Sequence, residues 1–217
     1  DKWDPYFDIY QKHINEKIFY LREEREDLVF VEVGVQKGGS LEMWSEYLSW
    51  NWKALSEKGH NYQIYGIDID PECENIKYSD GNIHIVIGDQ GNPLFWDKFL
   101  EKVPKIDFFI DDGGHFMDQQ ILTFEKVFPH IREGGLYICE DCHTSYESYN
   151  GGGYGYKGSF IEYTKSYIDV IHQKWWNELD TEMERRKEIG KDLTSVSFYD
   201  SIVVFEKDSK KEMKRVF

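Results

Sequence analysis

Five short apolar runs, spaced by helix-patterned stretches, constrain this chain more than any other feature. They are LVFVEVGV (28–35), YQIYGIDI (62–69), IHIVIG (83–88), KIDFFI (105–110) and LYICE (136–140). Runs that are apolar at nearly every position mark strands buried on both faces. Between them, Ser40 is placed to cap a helix running to about Trp50, and Pro93 opens a helix over NPLFWDKFLEKV. FMDQQILTFEKVFPHI (116–131) has apolar residues at helical spacing, and Gly134-Gly135 stops it. Strand and helix alternating in this way predict an α/β fold with a doubly wound, mostly parallel sheet. With 217 residues, 40% of them hydrophobic, one well-buried domain is expected rather than two.

The flanks differ in pattern. Residues 3–20 read as one or two amphipathic helices, so 1–27 is expected to form a helical segment packed on a domain of 28–217. Residues 50–61 are polar and loose, and 71–82 begin as a turn or short helix. A stretch rich in Tyr, Gly and Ser (144–158) suggests a mobile lid, with Tyr146, Tyr149, Tyr154 and Tyr156 offering aromatic faces to a ligand. Residues 159–179 predict one long amphipathic helix, and 181–191 a charged surface segment. Residues 194–207 read as two strands joined at Asp200-Ser201, an antiparallel hairpin.

The net charge of −15, from 26 basic and 41 acidic residues, disfavours nucleic acid and anionic membranes as partners. No apolar run approaches the roughly 18 residues of a membrane span, and a cytoplasmic location is expected. The first residue is Asp rather than Met, which is consistent with a domain of a longer protein. Three cysteines fit a reducing compartment. Cys139 and Cys142 form a C-x-x-C, but Cys139 falls inside a strand, so a structural role is expected rather than redox or zinc chemistry.

The strand ends carry the chemistry. Asp111-Asp112 and Glu140-Asp141 each close a strand-like run, and open α/β sheets bind ligands at that edge. Four carboxylates and His115 are therefore expected to meet there. Crowded carboxylates repel unless a cation or shared protons hold them, and oxygen ligands favour Mg²⁺ over zinc. The first run feeds a glycine turn, Glu32 to Ser40, whose glycines allow close approach of backbone to a ligand. The turn is not G-x-G-x-x-G, and Asp68 lies 34 positions after Gly34, beyond the roughly 20 of the dinucleotide fingerprint. Asp68 ends the second run, where a carboxylate can accept ribose hydroxyls. Asp89-Gln90 ends the third, where either side chain can meet an adenine amino group.

Taken together, E-x-G-x-x-x-G-x-S, GIDIDP, IGDQ, IDDGGH and EDCHTSY resemble the class I S-adenosylmethionine-dependent methyltransferases. More narrowly, they resemble the metal-dependent sugar O-methyltransferases of macrolide biosynthesis. The fold this implies is Rossmann-like and ends in a reversed strand, matching the terminal hairpin. The resemblance implies that Glu32, Gly34, Gly38 and Ser40 hold the methionine part of S-adenosylmethionine. Asp68 would take the ribose, Ile69 would lie against adenine, and Asp89 and Gln90 would sit at the adenine. Asp112, Glu140 and Asp141 would bind Mg²⁺, Asp112 also bordering the cofactor, and His115 would be the general base. Asp111 and Asp112 compete for the ligand role. Asp112 is preferred because Glu140 follows it by 28 positions, the spacing of the catechol O-methyltransferase pattern. His143 could face substrate or hold a loop.

The expected activity is Mg²⁺-dependent methyl transfer to a hydroxyl of a nucleotide-linked sugar or glycoside, by a homo-oligomer. The rivals are methylation of a catechol-like or other small natural product, a nicotinamide-dependent oxidoreductase, and a non-catalytic subunit. The oxidoreductase would not need the second acidic pair, and a scaffold would need neither His115 nor the three ligands.

Overall fold

The computed structural model describes residues 2–54, 59–175 and 181–209. Two helices, α1 (Asp4–Tyr10) and α2 (Glu16–Glu24), precede the sheet and are joined by a π turn over Gln11–Asn15. The core follows as β1 (Asp27–Val33), α3 (Gly39–Leu48), β2 (Asn61–Asp68), β3 (Ile83–Ile87), α4 (Pro93–Lys102), β4 (Ile106–Asp111), α5 (Met117–Val127) and β5 (Ile131–Cys139). The chain ends in α6 (Phe160–Lys165), α7 (Tyr167–Ile171), α8 (Thr181–Ile189), β6 (Leu193–Tyr199) and β7 (Ile202–Lys207). Among the described residues the strands form one sheet in the order β3-β2-β1-β4-β5-β7-β6. β1 to β5 are parallel, and β7 inserts antiparallel between β5 and β6. The expected doubly wound sheet with its terminal hairpin is thus present, and Ser201 turns the hairpin at φ 65°.

Each sheet face is covered. Phe109, Phe124, Phe128, Tyr137 and Phe205 pack on one face, with α4, α5 and α6. Phe30, Trp44, Trp52, Ile64 and Phe108 pack on the other, with α1, α2 and α3. Two-sided burial is why the strand runs lack a polar alternation.

Four local expectations are corrected. The α-helix after His115 stops at Val127 and tightens into a 3₁₀ turn over Phe128–His130, because Pro129 has no N–H with which to continue the α-helical ladder. The strand then starts at Ile131, so Gly134 and Gly135 lie inside β5. A Cβ on Gly135 would lie 2.6 Å from the Asp107 carbonyl oxygen and Gly134 holds left-handed backbone (φ 81°), so Gly135 serves close strand packing and neither glycine ends the helix. α3 is capped by Gly38 in the left-handed region (φ 82°), not by Ser40, whose hydroxyl donates to Glu32. The stretch after α3 is not wholly loose: residues 49–54 form a π turn that buries Trp52 completely.

Finally, the long helix after Ser159 is broken into α6 and α7. Thr164 and Ser166 hydroxyls donate back to the carbonyls of Ile161 (3.0 Å) and Tyr163 (2.6 Å), a contact that bends helices. The far end of that predicted helix (176–179) lies outside the described residues, and 181–189 of the charged segment is helical.

Candidate active site

The sheet order reverses between β1 and β4, the place where open α/β sheets form a crevice. Register brings the strand ends level there. Asp111 stands opposite Val33 on one side and Cys139 on the other. The ladder continues one step, with Asp112 N–H donating to Val33 O (3.1 Å) and Glu140 N–H to Asp111 O (2.9 Å). The residues just past the strands, Gly34, Asp112, Glu140 and Asp141, therefore share one edge.

Of the four expected carboxylates, three meet. Asp111 does not join them. Its side chain is fully buried on the aromatic face, accepting from Gln90 Nε2 (2.5 Å) and the Tyr137 hydroxyl (3.0 Å). Burial pushes its pKa up to about 7. Asp112, one residue beyond the strand, is half-buried and faces the crevice. Asp112, His115 and Asp141 can each bring a ligand atom within 4.8 Å of the others. His115 Nε2 lies 3.8 Å from Asp112 Oδ1 and 3.6 Å from Asp141 Oδ2, while its Nδ1 is buried with no partner among the described residues. His115 (φ 57°) and Asp141 (φ 50°) both hold left-handed backbone, a strain of about 1–3 kcal/mol each of the kind concentrated at functional sites.

The sequence reading missed Lys2. Its ammonium is 2.7 Å from Glu32 Oε1, 2.8 Å from Asp112 Oδ2 and 2.9 Å from Glu140 Oε1. Burial opposes the lysine charge, but the three carboxylates outweigh it and hold the pKa above its ordinary value. Burial raises the carboxyl pKa values of Glu32 and Glu140, each opposed by Lys2. Acids that burial disfavours and a cation stabilises form a cation-seeking site, and the lysine ammonium is the cation held here. Tyr6 and Tyr10 were also missed. Their hydroxyls donate to Asp141 Oδ1 (2.6 Å) and to Glu140 Oε1. Tyr6 and Tyr10 stand four residues apart on one face of α1, with Lys2 four residues further back just before the helix, and that spacing was the available signal.

The glycine turn packs tightly. Gly34 (φ 98°) lies so near β4 that a Cβ would overlap the Asp112 carbonyl oxygen. Glu32 is fully buried beneath the turn and accepts from Ser40 Oγ (2.8 Å). Asp68 Oδ2 accepts the N–H groups of Val35 and Gln36 (2.8 and 2.9 Å), and Oδ1 that of Asp70 (2.9 Å). Three of the roughly four acceptor positions of its carboxylate are thus taken, which leaves about one for a ribose hydroxyl. Ile69 is exposed. Gln90 turns inward, its Oε1 accepting from Gly114 N–H (3.0 Å), so it braces the IDDGGH loop from below. Asp89 is the exposed member of that pair and accepts from Gly91 N–H (2.8 Å).

His143 Nδ1 lies 2.6 Å from Ser201 Oγ, a link from the β5 end to the hairpin turn. The three cysteines are buried and free. Burial, then Cys142, holds the Cys139 thiol well above its ordinary pKa, which suits a structural residue. Beside the site a groove of about 670 Å³ is lined by Phe116, Met117, Tyr149, Asn150, Tyr156 and Gly158, among others. Asn150 ties the groove to the site by donating to His115 O (3.3 Å). No helix of the described residues is long and apolar enough to cross a membrane.

The chain is similar to several characterised proteins. Mycinamicin VI 2''-O-methyltransferase of Micromonospora griseorubida is 30% identical over 174 residues, covering 78% of this chain and 39% of that protein. A rhamnosyl tetracenomycin-C 2'-O-methyltransferase of Streptomyces olivaceus is 28% identical over 180 residues, covering 79% and 43%. The crystal structure of the mycinamycin-pathway methyltransferase MycE with Mg and SAH superposes with a TM-score of 0.73 at 26% identity, covering 92% of this chain and 48% of that one. This chain thus spans about half the length of the relatives it matches, or less. A methyltransferase domain family model matches residues 31–142, more than half of the chain. That segment runs from inside β1 to just past β5 and contains every strand end of the acidic crevice, and the chain belongs to this methyltransferase domain family.

Proposed function

We propose that this protein transfers a methyl group from S-adenosylmethionine to a hydroxyl of a sugar, nucleotide-linked or in a glycoside, with Mg²⁺. The observation that carries the proposal is the convergence of Asp112, Asp141 and His115 at the switch point, beside Glu32 and Glu140 closed around a lysine ammonium. Such a donor set, rich in carboxylate oxygens and drawn to positive charge, fits a hard divalent ion. Asp112, Glu140 and Asp141 are the residues we assign to Mg²⁺. When bound, the ion polarises the acceptor hydroxyl and lowers the cost of its developing negative charge. His115 Nε2, aimed between Asp112 and Asp141, would take the hydroxyl proton, and the two carboxylates would stabilise the imidazolium formed.

The methyl donor is a sulfonium, so the transfer is a direct displacement and positioning supplies much of the rate. Gly34 and Gly38 let the turn approach the cofactor, Glu32 and Ser40 face its methionine part, and Asp68, Ile69, Asp89 and Gln90 form the nucleoside end. Gln90 acts there through the loop it braces. The exposed Tyr149, Tyr154 and Tyr156 support the lid reading, with the neighbouring groove taking the body of the substrate. The names of the relatives support a sugar hydroxyl as acceptor. Free, buried cysteines support a cytoplasmic location, and the exposed Trp3, Phe19 and Tyr20 of the N-terminal segment support self-association.

A thermal-shift titration with S-adenosylhomocysteine, with and without Mg²⁺ and beside NAD⁺, tests the proposal. A ligand that binds only the folded protein raises the melting point by mass action. Stabilisation by the first two and none by NAD⁺ is expected. No response to saturating S-adenosylhomocysteine would remove the function and leave the fold untouched.

A further inference from the structure

The Glu140–Asp141 pair is gripped from outside the sheet by a single face of α1. Tyr6 and Tyr10 stand one turn apart, so one phenol reaches each carboxylate. Both rings are buried, at 3% and 4% exposure. The Tyr10 ring meets Trp44 of α3 edge-on at 5.1 Å and Phe7 at 6.0 Å, which fixes where its hydroxyl points. A carboxylate with one oxygen held in this way presents the other in a set direction, and in Glu140 that other oxygen, Oε2, faces the Lys2 ammonium at 2.9 Å, which also meets Oε1. In Asp141 the held oxygen is Oδ1, and Oδ2 is the one facing His115. Asp141 itself sits just past β5 in left-handed backbone (φ 50°).

We infer that Tyr6 and Tyr10 are positioning residues that each fix one oxygen of the acidic pair, so that Glu140 and Asp141 are aimed at a divalent cation before it arrives. The inference rests on the Mg²⁺ reading above. The N-terminal segment is then part of the metal site as well as a cover for the sheet. Partners that orient metal ligands in this way typically contribute 10–100-fold to affinity.

The test is calorimetric titration of MgCl₂ into the protein saturated with S-adenosylhomocysteine, for wild type, Tyr6→Phe, Tyr10→Phe and the double variant. Phenylalanine keeps the ring packing and removes only the donor. Each single variant is expected to raise the Mg²⁺ dissociation constant about 10-fold, with a larger rise in the double variant. The affinity for S-adenosylhomocysteine without Mg²⁺ should stay within about 2-fold of wild type, because no cofactor residue has changed. Weakening of α1 packing alone would instead lower the metal-free melting point and leave Mg²⁺ affinity unmoved. That result, or equal Mg²⁺ binding by all four proteins, overturns the inference. If Tyr10→Phe fails to fold, Tyr6→Phe carries the test, since its ring is the less enclosed by aromatic neighbours. Wild-type protein that binds S-adenosylhomocysteine but no Mg²⁺ overturns the metal reading itself, and the wild-type titration separates that failure from the failure of the tyrosines.

Discussion

Replacing Gly34 by alanine should damage this protein more than its size suggests. Gly34 holds φ at 98°, a region L-residues rarely adopt. Holding a non-glycine residue in such sparsely populated backbone costs about 1–3 kcal/mol. The new Cβ would also overlap the Asp112 carbonyl oxygen and lie 2.8 Å from its carbon. Those are backbone atoms at the end of β4, pinned by the Asp112 N–H bond to Val33 O, so they cannot swing aside as a side chain would. Overpacking of this kind costs a further 1–3 kcal/mol or so. The total is about 4 kcal/mol, a large part of the roughly 5–15 kcal/mol by which such domains are stable. In a chain of this size that lowers the melting point by about 10 °C. The control is Gly39→Ala, at a site with an ordinary φ and no atom within 4 Å of the added Cβ; it should be neutral or stabilising by under about 1 kcal/mol. Urea unfolding of both variants beside wild type measures the difference. A Gly34→Ala protein within about 1 kcal/mol of wild type would refute the reasoning, because it would mean that the β1 and β4 ends can part freely.

Other perturbations act at separate points. Arg25→Met should cost about 1–3 kcal/mol, because Asp107, 1% exposed, loses its nearest cation and keeps Arg132 at 3.6 Å and the Val29 N–H; Arg25→Met with Asp107→Asn should recover part of the loss in urea unfolding. The Glu206 carboxyl is held below its ordinary 4.5 first by the hydrogen bond from His13, with Lys17 adding to it. It therefore contributes stability that is present above pH 4.5 and is lost as pH falls through the lowered value. The pair is partly exposed, so the contribution is under about 1 kcal/mol. Glu206→Gln should flatten the stability curve only below pH 4.5. His115→Ala should lower methyl transfer by about 10²–10⁴-fold while leaving S-adenosylhomocysteine affinity unchanged, read by single-turnover kinetics and calorimetry; an unchanged rate would remove it as the base. Asp112→Ala should abolish the response of both melting point and turnover to Mg²⁺.

Much of the site was legible because strand ends are legible. An apolar run that stops at an acidic pair shows where β4 and β5 leave the sheet, and parallel pairing then brings those pairs together. Choosing between Asp111 and Asp112 needed more than the run itself. Both faces of β4 are buried, so no polar alternation marks which residue turns inward. The structure settles the direction of Asp111 by giving it Gln90 and Tyr137 as donors. The inward turn of Gln90 is hidden for a related reason, since its partners Asp111 and Gly114 lie more than 20 positions along the chain, at the end of β4 and in the loop that follows.

The sequence by itself determined the order of elements, the parallel sheet, the closing hairpin and the acidic edge. Each follows from local pattern: apolar runs, glycine and proline punctuation, and charges at fixed offsets. Tertiary structure alone decided how the first turns of the chain meet the far edge of the sheet. Lys2, Tyr6 and Tyr10 reach carboxylates that lie more than 100 positions away along the chain. Local propensity made α1 a helix but left open where it would dock. Docking was selected by burial of Tyr6, Ile9 and Tyr10 and by the need of two desolvated carboxylates, Glu32 and Glu140, for donors and a positive charge.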